Sequence, residues 1–572
     1  MLIRLGRKKP KSLCSVLRGI ECYKRLLMAG GVLMTLFSVT VRAAPPKAVL
    51  PVPCGGGACV ARGGPSQWVS HGQASLSLGN RSMTVHQASD KAILNWQNFD
   101  IAAGHSVTFD QPGVTSVALN RIFQGAPSSI LGNLRANGQV YLLNQNGIVF
   151  GAGSQVNVSA LLASSLNIRD ADFLGGITQP ILNPGTPHPV LVPFADASGN
   201  VITEPGSLIE TQEGGKVMLF APIVTNGGTI RTPRGQTILA AGDKIYLEVV
   251  PATSPELRGL WVEADLDPNG PNKDLINTVT NSGTILTERG NATLVGLAVN
   301  QHGRVSATTA LSENGSIRLL ARSGAEPRQT QNQTPQRVVA TKTGTLTLGE
   351  DSVTEVLPDA SDASTAPRSS FYEDGKLVRP SSVEMMGNQI ELGANSTVRV
   401  PGGRVTINAL ADPRSFSESS GQVEIPQDKG SRILLAAGSV IDVSGTETDM
   451  AMERNQLEVE LRGTQLADSP AQRDGVLKGQ KVSIDIRTGT PLANVQAAID
   501  TLAYNVNEKY AQGGTVTLKA QGDVILNTGA AVDVSGGAFR FKDGFINTTK
   551  LVSGGRLYDI GAADPSRIYD GI

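Results

Sequence analysis

The sequence predicts an all-β chain wound as a right-handed parallel β-helix, with an N-terminal cap and with loop or helix excursions. Three observations carry that reading. Between about Gln87 and Ile168 apolar residues alternate in short runs: Ile93; Trp96, Phe99 and Ile101; Val107 and Phe109; Val117 and Leu119; Val140 and Leu142; Val149. Gly, Asn and Pro separate them, and no run has the length or period of a helix. The composition agrees, with 64 Gly in 572 residues and only 4% aromatics, which suits a solenoid better than several globular cores.

The third observation is repetition. G-S-Q-V-N-V-S-A at 153–160 recurs as G-S-V-I-D-V-S-G at 438–445, as G-A-A-V-D-V-S-G at 529–536 and, more loosely, as N-S-T-V-R-V-P-G at 395–402. A second element begins at Gly215 (G-K-V-M-L), Gly315 (G-S-I-R-L), Gly403 (G-R-V-T-I) and Gly514 (G-T-V-T-L). A third is N-x-G-x-I, at Asn226 and Asn281. Gly215 to Gly235 spans 20 residues, one full turn of a coil. Alternate residues then point inward and stack on their equivalents one rung away, while Gly and Asn take the corners. At about 4.8 Å per rung and about 20 rungs the solenoid is expected to be on the order of 100 Å long.

Taken in order, residues 1–43 read as a signal peptide. Eight Lys and Arg stand against Glu21 in the first 25 residues, an apolar run follows, and Val41-Arg42-Ala43 supplies small residues at −3 and −1 of a cleavage site. A retained anchor is disfavoured by the shortness of the run. The expected partners at this stage are the inner-membrane secretion machinery and signal peptidase. Cys14 and Cys22 would leave with this segment, so the mature chain keeps Cys54 and Cys59, flanking G-G-G-A. A small disulfide loop in an oxidising compartment is favoured there over two free thiols. Residues 44–64 read as an extended leader. Fifty basic and fifty acidic residues give no overall field, so no nucleic-acid partner is expected.

Residues 65–168 resemble the secretion domain of filamentous haemagglutinin-type exoproteins, the passengers of two-partner secretion (TPS). The matching residues include Asn95-Trp96, Phe99, Ile101, Phe109, Gln111-Pro112, Leu119-Asn120-Arg121, Gly132 and Ala136-Asn137-Gly138-Gln139-Val140. The family's N-P-N-G-I motif stands here as Asn144-Gln145-Asn146-Gly147-Ile148, with Gln145 in place of Pro. Its second motif, N-P-N-L, is not recognisable. The resemblance implies a β-helix start whose first coil must be covered against open-edge aggregation, and the strands around Trp96 and Phe99 are the expected cap. It also implies export through an outer-membrane β-barrel transporter, with the motif region needed for recognition.

Residues 169–572 are expected to continue the β-helix repeats. Roughly 169–205, 251–275, 323–340, 357–382, 411–430 and 446–477 break the rhythm and read as excursions. One helix is expected from Thr490-Pro491, with Leu492, Val495, Ile499, Leu502 and Val506 at helical spacing, lying along the wall over a sheet face. The chain stops soon after a clear repeat, as an N-terminal part of a larger exoprotein or a truncated product would.

No cofactor, metal or catalytic residue is expected. Asp442-Val443-Ser444-Gly445 and Asp533-Val534-Ser535-Gly536 share the phase of Asn157-Val158-Ser159, so a rung-corner role outweighs a protease-like one. His71, His86, His105, His188 and His302 are dispersed, without metal-ligand spacing, and no hydrolase, metalloprotease or nucleotide-binding motif is present. The expectation is a secreted or surface-exposed adhesin with a receptor on a host or neighbouring cell. Contact-dependent toxin delivery, haemolysis and haem scavenging are the alternatives, and a β-helical polysaccharide-active enzyme ranks below them.

Overall fold

The computed structural model describes residues 49–178, 194–196, 198–250, 258–267, 272, 275–328, 337–373, 376–377, 379–413 and 428–572. The predicted signal peptide, Cys14, Cys22 and His188 lie outside these residues.

Each coil of the solenoid contributes one strand to each of three sheets, except the first, which meets the second sheet only through an isolated bridge between Ile101 and Ile130. In one turn the chain passes through Lys216–Ala221, Ile223–Asn226 and Thr229–Arg231, then returns to the starting sheet as Gln236–Ala241. Among the described residues the three sheets, in that order, hold 14, 10 and 13 strands. Lys216 lies beside Gln236 in parallel register, so the 20-residue period is one rung. The three repeat elements sort by sheet. G-x-V-x-L strands occupy the first sheet and the V-D-V-S strands the third, while N-x-G-x-I turns the corner from second to third.

The inward residues form one continuous core. Val217, Leu219, Val224 and Ile230 are fully buried in a single rung, and their equivalents stack above and below. A column of the first sheet runs Leu94, Asn120, Leu142, Ala163, Leu219, Leu239 and Leu294. At the second-to-third corner buried amides replace apolar residues. Asn226 donates to Asn281 at 2.7 Å, and Asn281 to Gln301 at 2.6 Å, so each amide satisfies the next.

The first sheet is buried on both faces, which explains apolar runs such as Lys216-Val217-Met218-Leu219-Phe220-Ala221. Its outer face is covered by the helix Asp170–Gly175 and by an antiparallel hairpin, Lys244–Val249 with Leu260–Asp265. Phe173 packs edge-on against Tyr141 at 6.2 Å, and Phe194 against Phe220 at 5.2 Å. A buried ion pair, Arg322–Glu263 at 2.6 Å, pins the hairpin to the wall. Trp261 lies between, 4.0 Å from the Arg318 guanidinium and 5.2 Å from that of Arg322.

Four expectations are corrected. The solenoid is shorter than about 20 rungs. Three of the first sheet's 14 strands pair antiparallel, leaving 11 parallel rungs among the described residues, or about 50 Å at about 4.8 Å each. The excursions absorb the remaining chain.

Trp96 and Phe99 are not the cap. Both are fully buried inside the first rung, and the cover comes from upstream. Val52–Pro53 and Val69–His71 pair antiparallel with Lys91–Asn98, and Ala74–Leu78 pairs antiparallel with Ser82–Gln87. Antiparallel strands close an edge that a further parallel coil would leave open.

It follows that residues 49–64, expected as a leader without packing, belong to this cap. The Cys54 N–H donates to the Asn95 carbonyl at 2.9 Å, and Arg62 donates to the Phe123 carbonyl at 3.1 Å.

The single helix expected over 490–506 is two one-turn helices, Gln496–Ile499 and Val506–Lys509, with a short strand at Ala503–Tyr504 between them. Asn505 is extended, and it forms a capping box with Glu508 that starts a new helix instead of continuing the old one. Leu492 and Val495 enter a separate core with Leu461, Ile484, Leu551 and Tyr569. This core builds a lobe from the excursion after Thr446 and the segment after Gly537. Among the described residues no helix is long and apolar enough to cross a membrane.

Candidate functional site

The motif Asn144–Ile148 forms a solenoid corner, and its residues divide by exposure. Asn144 is fully buried. Its amide donates to the Ala126 carbonyl at 3.1 Å and to Ser128 Oγ at 3.0 Å, and its side-chain oxygen accepts the Asn146 N–H at 3.0 Å. This side chain therefore both shapes the turn and ties it to the rung below. Gly147 has φ +105°, and a Cβ there would stand 2.5 Å from the Asn200 carbonyl oxygen, so glycine is required. Ile148 is buried between Ser128 and Val201.

Gln145 and Asn146 face solvent. Asn146 donates to the Gln124 carbonyl at 2.8 Å. The Gln145 carbonyl accepts Ser198 Oγ and the Gly199 N–H, both at 2.8 Å. The first excursion thus returns across the corner and seals it. With Gln145 in the Pro position, a side-chain amide also reaches the Asp196 carbonyl at 3.3 Å, a bond no proline could make.

The other sequence-selected residues fall in four further places. Asn120 interrupts the apolar column of the first sheet, fully buried. It accepts the Trp96 indole N–H at 2.9 Å and donates to the Ala118 and Tyr141 carbonyls at 3.0 and 3.1 Å. The amide thereby locks Trp96, which packs edge-on against Trp68 at 5.6 Å and Phe99 at 5.2 Å. Gln111 is buried and bonds Gln87, while its backbone N–H and carbonyl are held by Asn137 at 2.8 and 2.7 Å. Gly138 leaves room for that contact, since a Cβ there would meet Gln111 Oε1 at 2.6 Å. Pro112 is exposed beside them.

Arg121 reaches the outer face, where it meets Asp170 at 2.6 Å and the Asn167 side chain at 3.1 Å. Burial lowers its pKa, against the raising effect of Asp170. Cys54 and Cys59 are joined by a disulfide in the cap. These residues therefore form one corner and four separate supports, not one pocket.

Sequence reasoning missed Gln124 and Asp100. Gln124 accepts the Phe99 N–H at 3.0 Å as well as bonding Asn146, and Asp100 accepts the Ser129 N–H at 2.7 Å. Both sit in turns, where hydrophobic period carries no signal. Among the described residues no group of three His, Cys, Asp or Glu side chains is placed to hold a metal ion. The Asp442 carboxylate accepts the Ser444 N–H at 2.9 Å and its hydroxyl at 2.6 Å, a corner bond.

A three-sheet solenoid closed at its first rung by antiparallel strands is the class of scaffold defined here. Within it, residues 65–319 match the model of the TPS secretion domain, so the chain carries that domain. The match begins where the residue-level resemblance begins and runs past Ile168 through the first two excursions. A heme/hemopexin-binding protein of Haemophilus influenzae is 45% identical over 87 residues, 15% of this chain and 9% of that protein. A second protein so named, from strain KW20 / Rd, is 39% identical over 98 residues, 17% of this chain and 11% of that protein. The chain spans about a tenth of the length of these curated relatives. Among solved structures, the HMW1 secretion domain from Haemophilus influenzae aligns at 20% identity and a TM-score of 0.46, covering 66% of this chain and 84% of that chain.

Proposed function

We propose that the chain is an exoprotein exported by two-partner secretion: a signal peptide takes it across the inner membrane, and a partner β-barrel transporter takes it across the outer membrane to the medium or cell surface. The match of residues 65–319 to the secretion-domain model carries the reading. Passage is unfolded, and rung-by-rung folding outside biases movement outward, because each completed coil buries apolar side chains that the next extends. Gln145 and Asn146 are the exposed part of the motif corner and the residues available to the transporter. The role after export is binding, not catalysis, with an adhesin of the filamentous haemagglutinin type as the first reading. Haem scavenging is the second, favoured by the name of the two Haemophilus relatives.

Expression with and without the matching transporter, measuring protein in medium and on cells, tests export. Transporter-dependent release that fails in an Asn146→Ala, Gly147→Ala variant supports the reading. A Gln145→Ala variant changes an exposed side chain while leaving Gly147 in place, and so separates transporter recognition from folding of the corner. Periplasmic retention with and without the transporter would sink the proposal.

A further inference from the structure

Outward side chains of the third sheet form columns along the solenoid axis, because each rung sets equivalent residues one above the next. One column runs Thr84, Thr108, Arg135, Asn157, Glu210 and Arg231. From Glu210 onward its charged members are paired, with one another or with neighbouring side chains. Arg231 lies 3.3 Å from Glu210 and 2.8 Å from Glu288, Arg304 pairs with Glu355, and Arg399 stands 3.2 Å from Asp442. The first four rungs differ. The side chains of Thr84, Thr108, Arg135 and Asn157, with the neighbouring Gln155, make no hydrogen bond or ion pair to the described residues.

These side chains line an open groove of about 740 Å³, floored by Phe109 and Ala136. Asp110 closes one side. Its carboxylate is 3.2 Å from His86 Nδ1, and His86 Nε2 is 3.1 Å from Ser77 Oγ. The groove therefore offers a guanidinium, a carboxylate, amides and hydroxyls at the rung repeat of about 4.8 Å, close to the length of one hexopyranose unit. A peptide strand would add to a sheet edge, and this is a sheet face. A nucleic acid would need a row of cations, and Arg135 stands alone opposite Asp110.

We propose that this groove binds a linear polysaccharide laid along the solenoid axis, with Arg135, Asn157 and Asp110 hydrogen-bonding successive sugar units. The proposal goes beyond export and does not depend on it, since binding is measured on purified chain without a transporter. The probe is affinity gel electrophoresis of the full chain through gels containing dextran, hyaluronate or polygalacturonate. Retardation by at least one polymer is expected, weakened about tenfold in Arg135→Ala and in Asn157→Ala, the loss expected for one charge-assisted or amide hydrogen bond to a ligand. Arg399→Ala, at the paired end of the same column, is expected to bind as the parent does. All three side chains are solvent-facing or half-buried, so unchanged thermal melts are expected and lost retardation reports lost binding. Absence of retardation by all three polymers would overturn the proposal, as would equal weakening in Arg135→Ala and Arg399→Ala.

Discussion

Asn120 is a polar residue inserted into a column of leucines, and its cost is offset only because every hydrogen-bonding position finds a partner. Replacing it by Leu would restore the column's apolar character but leave the Trp96 indole N–H and the Tyr141 carbonyl without their amide. A buried donor so stranded costs about 1–3 kcal/mol. Urea unfolding of Asn120→Leu is expected to give a midpoint below that of the parent, and a raised midpoint would contradict the role given to the amide. Arg322 presents the charged version of the same problem. Burial pushes the Glu263 carboxyl up from its ordinary value even with Arg322 beside it. Arg322→Met would leave that carboxylate buried without its 2.6 Å partner, a loss of about 3–5 kcal/mol, measurable as a lowered unfolding midpoint.

At the scale of elements, the cap and the satellite lobe each carry a prediction. The Cys54–Cys59 bridge closes a loop with a sequence separation of 5, short enough that chain entropy supplies only about 2 kcal/mol. Cys54→Ser, Cys59→Ser is therefore expected to lower the melting temperature and to abolish its response to reductant, while the first rung stays folded by circular dichroism. In the lobe, hydrogen bonds from Lys550 and Thr548 hold the Asp559 carboxyl down at about 2. Its folded pKa lies below the ordinary value of 3.8, so its contribution is present above about pH 4 and lost as pH falls through about 2. The intrinsic fluorescence of Tyr558 and Tyr569 is expected to report that acid transition, reduced in Asp559→Asn.

The elements also show what sequence can and cannot give. Strands were legible because a period of two and corner Gly or Asn are local signals, and Asn144–Ile148 was legible as a turn for the same reason. The cap was not. Val52–Pro53 and Val69–His71 are too short to announce strands, and they exist because Lys91–Asn98 offers an edge. Leu492, Val495 and Ile499 have helical spacing, but their burial is set by contacts with Leu551 and Tyr569, far along the chain. Asn144 was readable as a turn residue, yet its tie to Ser128 and the seal supplied by residues 198–200 are contacts that only the coil creates.

For the whole molecule, burial differs from one end to the other. Rungs within the stack have apolar neighbours on both sides, whereas Asp523–Leu526 and Ala531–Asp533, at the ends of the second and third sheets, are exposed along their length. Hydrogen exchange is expected to show strongest amide protection in first-sheet strands such as Lys216–Ala221 and Gln236–Ala241, which are covered on both faces, and weakest in those final strands. Uniform protection along the axis would mean that the stack opens as one unit.

The corner amides have one more consequence. Asn226 and Asn281 are 55 residues apart and Asn281 and Gln301 only 20, yet both pairs meet in the same way. Rung alignment is therefore indifferent to the length of chain between one amide and the next. Polypeptide spliced into the hairpin between Val249 and Leu260 would be carried outboard, leaving the stacking on either side in phase. In engineering terms the molecule is a rack with standard slots, on which new cargo can be mounted without redesigning the frame.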